Sequence, residues 1–260
     1  MNMDPRACDS KYLKEGMVVL YSKTEINDDE ETWSQGIIER LRKNEEFPKY
    51  GHEARFTNGD IGFIKQILDI DKITFKDIIE LVAMDENQNL EFKETFSVDN
   101  KTGDKLKCLK DATVKEVAAF MNTVGGTILI GVSNDKKIIG IERDLSITDP
   151  DPEKNETRED YFLRTVEQQI YTRLQDPSIS PDDFHIHLVS GKENGDEKTV
   201  CVIQVKKVKK PIFMDVEMMY TECGTNKQIK NKRQIFYIRT PDSKVREIDA
   251  RNLLEHLENN

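Results

Sequence analysis

Two short polar segments of this chain contain the residue types that could bind a metal ion. The side chains are Glu86, Glu91 and Lys93 in the first segment and Asn134 and Asp135 in the second. An apolar helix-forming segment and an apolar strand-forming segment separate them, so the chain can bring both to one edge of a sheet. Oxygen ligands grouped in this way bind Mg²⁺ or Mn²⁺, and a neighbouring lysine balances phosphate charge. Alternatively, Glu86 and Asp135 are ordinary loop acids of an acid-rich protein.

Gly125 and Gly126 lie between these two segments, where the helix-forming segment ends. A helix often ends on a glycine in the left-handed conformation, which explains at least one of the pair. The other interpretation is a close approach of the backbone to a phosphate group. Neither G-x-x-x-x-G-K-S/T nor G-x-G-x-x-G occurs in the chain, so nucleotide binding has little support.

A second group of candidate residues is basic. Eight cations and only three acids fall between residues 206 and 233. The cations are Lys206, Lys207, Lys209, Lys210, Lys227, Lys230, Lys232 and Arg233. Such a surface contacts phosphate backbones and adds affinity that depends on salt but not on nucleotide sequence. The alternative is a solvated face of a β-hairpin.

The composition restricts the classes of function. A net charge of −10 argues against nucleic-acid binding by overall charge, so a polyanion site must be a local basic patch. The four cysteines form no CxxC pair and the four histidines lack zinc-finger spacing, which favours free thiols in a reducing compartment. His185 and His187 are interpreted as strand residues rather than ligands. The sequence shows no apolar leader and no bilayer-spanning run, so the expected location is the cytoplasm.

Residues 1–70 are predicted to form a small closed β-barrel, which removes the free edges of a short sheet. Four segments have the composition of strands: residues 16–21, 35–39, 54–56 and 61–64. The Asn58-Gly59 pair between the last two is a strong hairpin signal. The acidic run Asn27–Glu31 is expected to be a solvated loop.

Residues 71–260 are predicted to form an α+β domain, a mixed sheet with covering helices. Helical periodicity predicts helices over 73–83, capped by Thr74, and over 111–121, 161–174 and 248–257. Apolar and β-branched runs predict strands over 90–96, 127–132, 138–141, 184–189, 199–205 and 236–239. Residues 146–156 are expected to form a loop. The strand over 127–132 is expected to be central, and its end carries Asn134 and Asp135.

Three motifs together resemble the Schlafen core domain, also called the AlbA-2 domain. They are Glu86-x4-Glu91-Phe-Lys93, Ala119-Phe-x-Asn122-Thr-x-Gly125-Gly126 and Ile130-Gly131-Val. The segments Lys210-Pro211-Ile and Phe236-Tyr-Ile-Arg239-Thr240 fit the later part of the pattern, which covers about residues 73–257. Residues 1–70 resemble a KOW- or SH3-like barrel over a shorter stretch, and such barrels commonly bind RNA or protein.

The Schlafen resemblance implies a nucleic-acid-binding protein. Nuclease members of the family cleave structured RNA, notably tRNA, with a metal-dependent trio of acids. Two of these acids match Glu86 and Glu91, and the third follows the Ile-Gly-Val strand. Here Ser133 and Asn134 come first after that strand, and Asp135 comes one position later than the family pattern has its acid. Arg239 is included among the cations expected to bind nucleic acid.

These observations predict a metal-dependent endoribonuclease that acts on tRNA or other structured RNA, with DNA as the other possible nucleic acid. Glu86, Glu91 and Asp135 or Asn134 would hold Mg²⁺ or Mn²⁺, and Lys93 would offset negative charge. One Schlafen lobe offers half a groove, so a homodimer is expected. The Ser133-Asn134 departure motivates the first alternative, a catalytically silent nucleic-acid-binding module. A nucleotide (ATP)-binding protein is the second alternative.

Overall fold

A computed structural model describes residues 4–15, 17–24, 33–42, 48–68, 73–150, 155–221, 228–249 and 252–253. Several sequence-based predictions fall on residues outside these ranges. They are the acidic loop over 27–31, the cation Lys227, and most of the closing helix over 248–257.

The N-terminal part of the chain is a closed antiparallel barrel of four strands, as predicted. The strands are β1 (Val18–Ser22), β2 (Ser34–Leu41), β3 (Glu53–Phe56) and β4 (Ile61–Ile67). The turn between β3 and β4 places Gly59 at a φ of 87°, a conformation that favours glycine. Inside the barrel the rings of Tyr21 and Phe56 stack with their centroids 3.8 Å apart. Two short 3₁₀ turns, Pro5–Cys8 and Ser10–Tyr12, precede β1.

The rest of the chain is the predicted α+β arrangement. Its helices are α1 (Phe75–Ala83), α2 (Lys107–Asn122), α3 (Glu142–Ser146) and α4 (Arg158–Leu174). Its strands are β5 (Leu90–Lys93), β6 (Gly126–Ile130), β7 (Phe184–Glu193), β8 (Asp196–Val205), β9 (Phe213–Thr221), β10 (Gln228–Arg239) and β11 (Val245–Ile248). A four-stranded sheet has the order β5-β6-β8-β7, and a three-stranded sheet has the order β11-β10-β9. Only the β5–β6 pair of these two sheets is parallel among the described residues.

The four-stranded sheet separates two hydrophobic layers. On one face, Ile128 and Ile130 of β6 pack with apolar residues of α2 and α4. On the other face, Leu129 of β6 packs with α1 and with barrel residues such as Val18 and Ile37. Because side chains alternate along a strand, successive residues of β6 belong to different layers. The predicted domain boundary at 70/71 lies outside the described residues, and the second layer contains side chains from both sides of it.

Several predicted elements differ from the structure. Residues 138–141 do not form the predicted strand, and Ile138 makes one isolated bridge with Val132. These residues lead into α3, which was not predicted and which ends at Ser146, the first residue of the expected loop. Strand β9 has no counterpart in the prediction, and β10 begins eight residues earlier than predicted. Ile248, the predicted start of the closing helix, instead ends β11, where it pairs with Phe236. Pairing with β10 overrides a helical periodicity that is only local.

Candidate functional site

Strand register places two of the predicted site residues on the face covered by α2. Glu91 lies opposite Ile128 and Lys93 lies opposite Ile130 in the parallel β5–β6 pair. Leu90 and Phe92 alternate with them and join the other hydrophobic layer. The sequence from Leu90 to Lys93 therefore directs one acid and one base into the layer beneath a helix.

A buried ionic cluster surrounds Arg239, the last residue of β10. Its guanidinium donates to Glu91 Oε2 and to Glu116 Oε2, each at 2.8 Å. It also donates to the carbonyl oxygens of Asn87 and Leu90. The guanidinium carbon lies 4.7 Å from the centre of the Phe120 ring, a cation–π contact. The fork geometry of arginine suits this bidentate role.

Lys93 is the second cation of the cluster. Its ammonium group contacts Glu91 Oε1 and lies 3.5 Å from Glu116 Oε1. Burial lowers the pKa of Lys93, but the carboxylates of Glu116 and Glu91 outweigh that effect, and the pKa is raised overall. All four carboxylate oxygens of Glu91 and Glu116 thus face a cation within the protein.

Glu116 was not identified from the sequence. It lies on α2 between Val114 and Val117, and only 7% of its surface is exposed. A charged residue inside an apolar helical run is the one local signal that could have indicated it. Burial raises the pKa of Glu116, although the charges of Lys93 and Arg239 oppose the shift.

Glu86 borders this cluster without an ion pair in the described residues. Its Oε1 accepts a hydrogen bond from the backbone N–H of Phe92 at 2.7 Å, and its carbonyl oxygen accepts one from Ser243. Partial burial raises the pKa of Glu86, and the nearby charge of Glu91 raises it further, against the bond from Phe92. The two glutamates of the Glu86-x4-Glu91 motif therefore lie close enough to influence each other's charge.

The structure places Asn134 and Asp135 on an exposed turn after β6. Asp135 has a side chain that is 81% exposed and that lies 4.0 Å from Lys137. The neighbouring Lys136 pairs with Asp85 at 2.7 Å, so this turn packs against the segment that precedes Glu86. Ser133 holds the turn itself, because its hydroxyl accepts from the N–H of Lys137.

The donor set does not fit a divalent cation in this arrangement. Both oxygens of Glu91 are engaged by Lys93 and Arg239. Within the described ranges, no three His, Cys, Asp or Glu side chains are grouped so that they could hold a metal ion. A cation at Glu91 would have to displace a buried arginine or a lysine that already neutralises the same charge.

Arg239 is held in place by the end of α2. Its backbone N–H donates to Thr123 Oγ1 at 3.0 Å. The side-chain amide of Asn122 donates to the carbonyl oxygens of Ile212 and Tyr237 and accepts from the N–H of Ile212. The Asn122-Thr123 pair thereby fastens both β10 and the approach to β9 onto α2, which fixes the position of the guanidinium.

The two glycines after α2 are explained by packing. Gly125 has a φ of 73°, and its N–H bonds to the carbonyl oxygen of Phe120, as in a left-handed helix end. A Cβ at Gly125 would lie 2.6 Å from Ile37 of the barrel, and one at Gly126 would lie 2.5 Å from Phe120. Both glycines permit close contact within the protein.

The predicted nucleic-acid-binding cations divide into three groups. Arg239 is 1% exposed, so it lies out of reach of a phosphate backbone. On β10, Lys230 pairs with Glu217 at 3.0 Å and Arg233 pairs with Glu247 at 2.9 Å, while Lys232 is exposed. The third group is the loop between β8 and β9, in which four lysines are exposed. They are Lys206, Lys207, Lys209 and Lys210, and we call this segment the lysine loop.

Comparison with known proteins identifies one matching family model. The model of the Schlafen, AlbA_2 family matches residues 86–248, within the stretch that the motifs had indicated. No curated protein matches the chain. Among solved structures, the DIP2311 protein from Corynebacterium diphtheriae is similar at 18% identity and a TM-score of 0.38. That match covers 71% of this chain, which spans about a third (32%) of the length of the other.

Proposed function

Since the chain belongs to the Schlafen AlbA_2 family, which suggests a nucleic-acid-related function, we propose that it binds nucleic acid through the lysine loop. The observation that carries this proposal is the exposure of four lysines within five residues of an otherwise acidic protein. Local positive charge of this kind attracts a phosphate backbone even when the net charge is negative.

The backbone of the lysine loop is anchored while its side chains extend into solvent. Lys206 N–H donates to the carbonyl oxygen of Asp183, and Val208 N–H donates to that of Met121 at the end of α2. An anchored backbone reduces the ordering cost of binding, because the backbone does not have to be immobilised when the ligand binds. The loop lies beside the barrel, since the backbone N–H of Lys207 is close to Gly125, which itself contacts Ile37.

The cations of β10 contribute less to this surface. Glu217 faces both Lys230 and Lys107, which hold the pKa of its carboxyl group at about 2, so it stays charged at neutral pH. Phosphate contacts by Lys230 would compete with this acid. The lysine loop is therefore the region where removal of charge should matter most.

Binding without cleavage is the function that the site supports best. The carboxylates of Glu91 and Glu116 are occupied by cations of the protein itself, and Asp135 lies on an exposed turn. An acid that neutralises a buried arginine is a structural group, and it is not available to activate water. We accordingly propose a nucleic-acid-binding module in which the cluster around Arg239 maintains the fold.

Titration of the protein with fluorescently labelled tRNA at several salt concentrations tests this proposal. Replacement of Lys207 and Lys209 by Ala should weaken binding and should flatten the log–log salt dependence by roughly 0.7–0.9 for each lost contact. The control is replacement of Lys14 and Lys101, two exposed lysines elsewhere, which should leave the slope unchanged. An equal slope in the two double variants would refute the role of the lysine loop.

A metal-dependent endoribonuclease acting on tRNA or other structured RNA is the second candidate. The observation that favours it is the mutual proximity of Glu86 and Glu91: burial raises the pKa of Glu86, and the charge of Glu91 raises it further. Glu91 is unsuited to a test because it is buried against Arg239, so its replacement would disturb the fold. Glu86 is half-buried, and Gln at this position can still accept from Phe92.

Incubation of wild-type protein and the Glu86→Gln variant with total RNA and Mn²⁺ separates the two candidates. Cleavage by the wild type that Glu86→Gln abolishes would establish the nuclease and replace the silent module. RNA that stays intact with both proteins, under conditions where the wild type binds it, is the result expected here.

Light scattering on the same samples tests the proposed homodimer, which would place two lysine loops around one groove.

A further inference from the structure

An open cavity lies at the opposite end of α2 from the lysine loop. Its volume is about 390 Å³, within the range of pockets that hold small ligands. It is lined by residues of α2 and α4, by the end of α3 and the loop that follows it, and by the segment after β5. Since α2 has 16 residues, its two ends are separated by roughly 24 Å. None of the residues that line the cavity belongs to the Arg239 cluster or to the lysine loop, so it is distinct from both.

Three lysines line the cavity: Lys105, Lys107 and Lys110. The N-terminus of α2 borders it as well, and the N-cap residue, Leu106, offers no side chain to cap the helix. The first amide groups of an α-helix have no partner within the helix and carry partial positive charge. The positive charges of the lysines and of the uncapped helix end therefore both lie at this cavity.

The acids near the cavity are already engaged. Asp144 is 1% exposed, and it accepts hydrogen bonds from the N–H groups of Phe96 and Ser97 and from the Ser97 hydroxyl. Glu217 is held by Lys107 and Lys230. Neither Lys105 nor Lys110 forms an ion pair among the described residues: Lys105 donates to the carbonyl oxygen of Ile147, and Lys110 lies 5.7 Å from the Phe96 ring centre.

The interior of the cavity combines flat apolar groups with neutral polar ones. Tyr161 supplies a half-buried aromatic ring, and Phe96 and Phe162, which are 1% and 2% exposed, supply buried apolar wall. The hydroxyl groups of Thr148 and Thr165 donate to the carbonyl oxygens of Leu145 and Tyr161, so toward a ligand they can act as acceptors. Gln169 adds a side-chain amide whose nitrogen donates to Asp111. A lining that combines cations, an aromatic ring and neutral polar groups matches a ligand that has a phosphate at one end and a planar heterocycle at the other.

We propose that this cavity binds a nucleoside phosphate. The phosphate would lie near Lys105, Lys110 and the start of α2, and the base would lie against the Tyr161 ring. A free nucleotide and an unpaired nucleotide of a bound strand share this chemistry, and either source fits the cavity. The site does not depend on the lysine loop, so its existence can be tested whether or not the protein binds RNA there.

Calorimetric titration of the full chain with AMP, GMP, CMP and UMP tests the site, with inorganic phosphate and adenosine as partial ligands. At least one nucleotide should bind about tenfold or more tightly than either partial ligand, because only the nucleotide uses both halves of the cavity. Inorganic phosphate that binds as tightly as every nucleotide would show a simple anion site and overturn the proposal.

Two variants locate the binding. Thr148→Trp fills the cavity without changing charge, and the double replacement of Lys105 and Lys110 by Gln removes charge from exposed or half-exposed positions. Each should weaken nucleotide binding about tenfold, or about 1.4 kcal/mol. The matched control, Lys101→Gln with Lys137→Gln, changes two exposed lysines outside the cavity and should have no effect. If Thr148→Trp lowers the melting temperature, the double lysine variant alone decides. Unchanged affinity in that variant would rule the site out.

Competition identifies the source of the ligand. If AMP displaces a 5′-phosphorylated RNA oligonucleotide, and Thr148→Trp weakens the RNA, the cavity binds a nucleotide of the strand. If AMP binds without displacing RNA, the cavity binds a free nucleotide. The Lys207 and Lys209 double variant should lose RNA affinity yet bind AMP normally, so failure of the RNA-binding proposal and failure of this one remain distinguishable.

Discussion

The cations of the Arg239 cluster and those of the lysine loop lie near the same end of α2 but have opposite surroundings. Arg239 is buried and contacts two carboxylates and two carbonyl oxygens. The four lysines of the lysine loop are exposed, and its backbone is anchored through the N–H groups of Lys206 and Val208. The comparison shows that residue type alone does not identify a binding cation. A buried, paired cation stabilises the fold, whereas an exposed one remains available to a polyanion.

Loss of the buried guanidinium should have the largest effect. Arg239→Ala leaves Glu91 and Glu116 buried with one cation, Lys93, between them. We expect the free energy of unfolding to fall by about 3–5 kcal/mol, measured by urea denaturation. Arg233→Ala on the same strand breaks an exposed pair and should cost less than about 1 kcal/mol. Similar losses in both variants would erase the distinction drawn between buried and exposed cations.

Asn122→Ala separates hydrogen bonding from charge in the same region. Asn122 is 6% exposed and connects α2 to Ile212 and Tyr237 through three hydrogen bonds. Its loss leaves buried backbone groups without partners, so we expect a decrease of about 1–3 kcal/mol in the same denaturation experiment. Asn134→Ala on the exposed turn should be nearly neutral. A loss as large as that of Arg239→Ala would mean that hydrogen bonds rather than ion pairs dominate here.

The lysine loop should behave in the opposite way. Replacement of Lys207 and Lys209 by Ala should change the free energy of unfolding by less than about 0.5 kcal/mol, as is usual for surface substitutions, while nucleic-acid affinity falls. Thermal denaturation of the variant without ligand measures the first effect. A marked loss of stability would show that these side chains have a structural role.

Glu86 should give the smallest effect, visible through pH. Its pKa is raised above the ordinary value of 4.5, mainly by burial. The folded state therefore holds this proton more tightly than the unfolded state, and the resulting stabilisation is lost as pH rises through the folded pKa. Glu86→Gln should reduce the decline in stability as pH rises above about 4.5. An identical pH profile in the variant would contradict the raised pKa.

The sequence predicted those parts of the fold whose signals are local. The Asn58-Gly59 turn indicated the hairpin of the barrel, and Thr74 caps α1 as expected, in a capping box with Asp77. Helix α2 and strand β6 appear close to where apolar patterning predicted them. Strand β9 was missed because Phe213–Thr221 mixes acids and methionines without a clear alternation. Its extended conformation comes from antiparallel pairing with β10, which is a contact between separate segments.

The ionic cluster could be predicted only in part. The spacing of Glu86, Glu91 and Lys93 indicated a charged site, and the structure brings these residues together. Their partner Arg239 is 148 residues from Glu91 along the chain, and no local pattern reveals such a contact. Glu116 was hidden by the helical periodicity that correctly identified α2. Burial, which decides whether a charge is structural, emerges only when the helix packs on the sheet.

The contact at Gly125 has a consequence for avidity. Gly125 allows Ile37 of the barrel to approach the end of α2, and Thr57 and Gln35 of the barrel bond to Val124 and Thr127 nearby. The barrel is thus fastened directly beside the lysine loop. If both contact one polymer, the second contact forms at a high effective concentration, because no flexible linker has to be ordered. A bulkier residue at position 125 would then weaken binding by separating two surfaces, without removing a single charge.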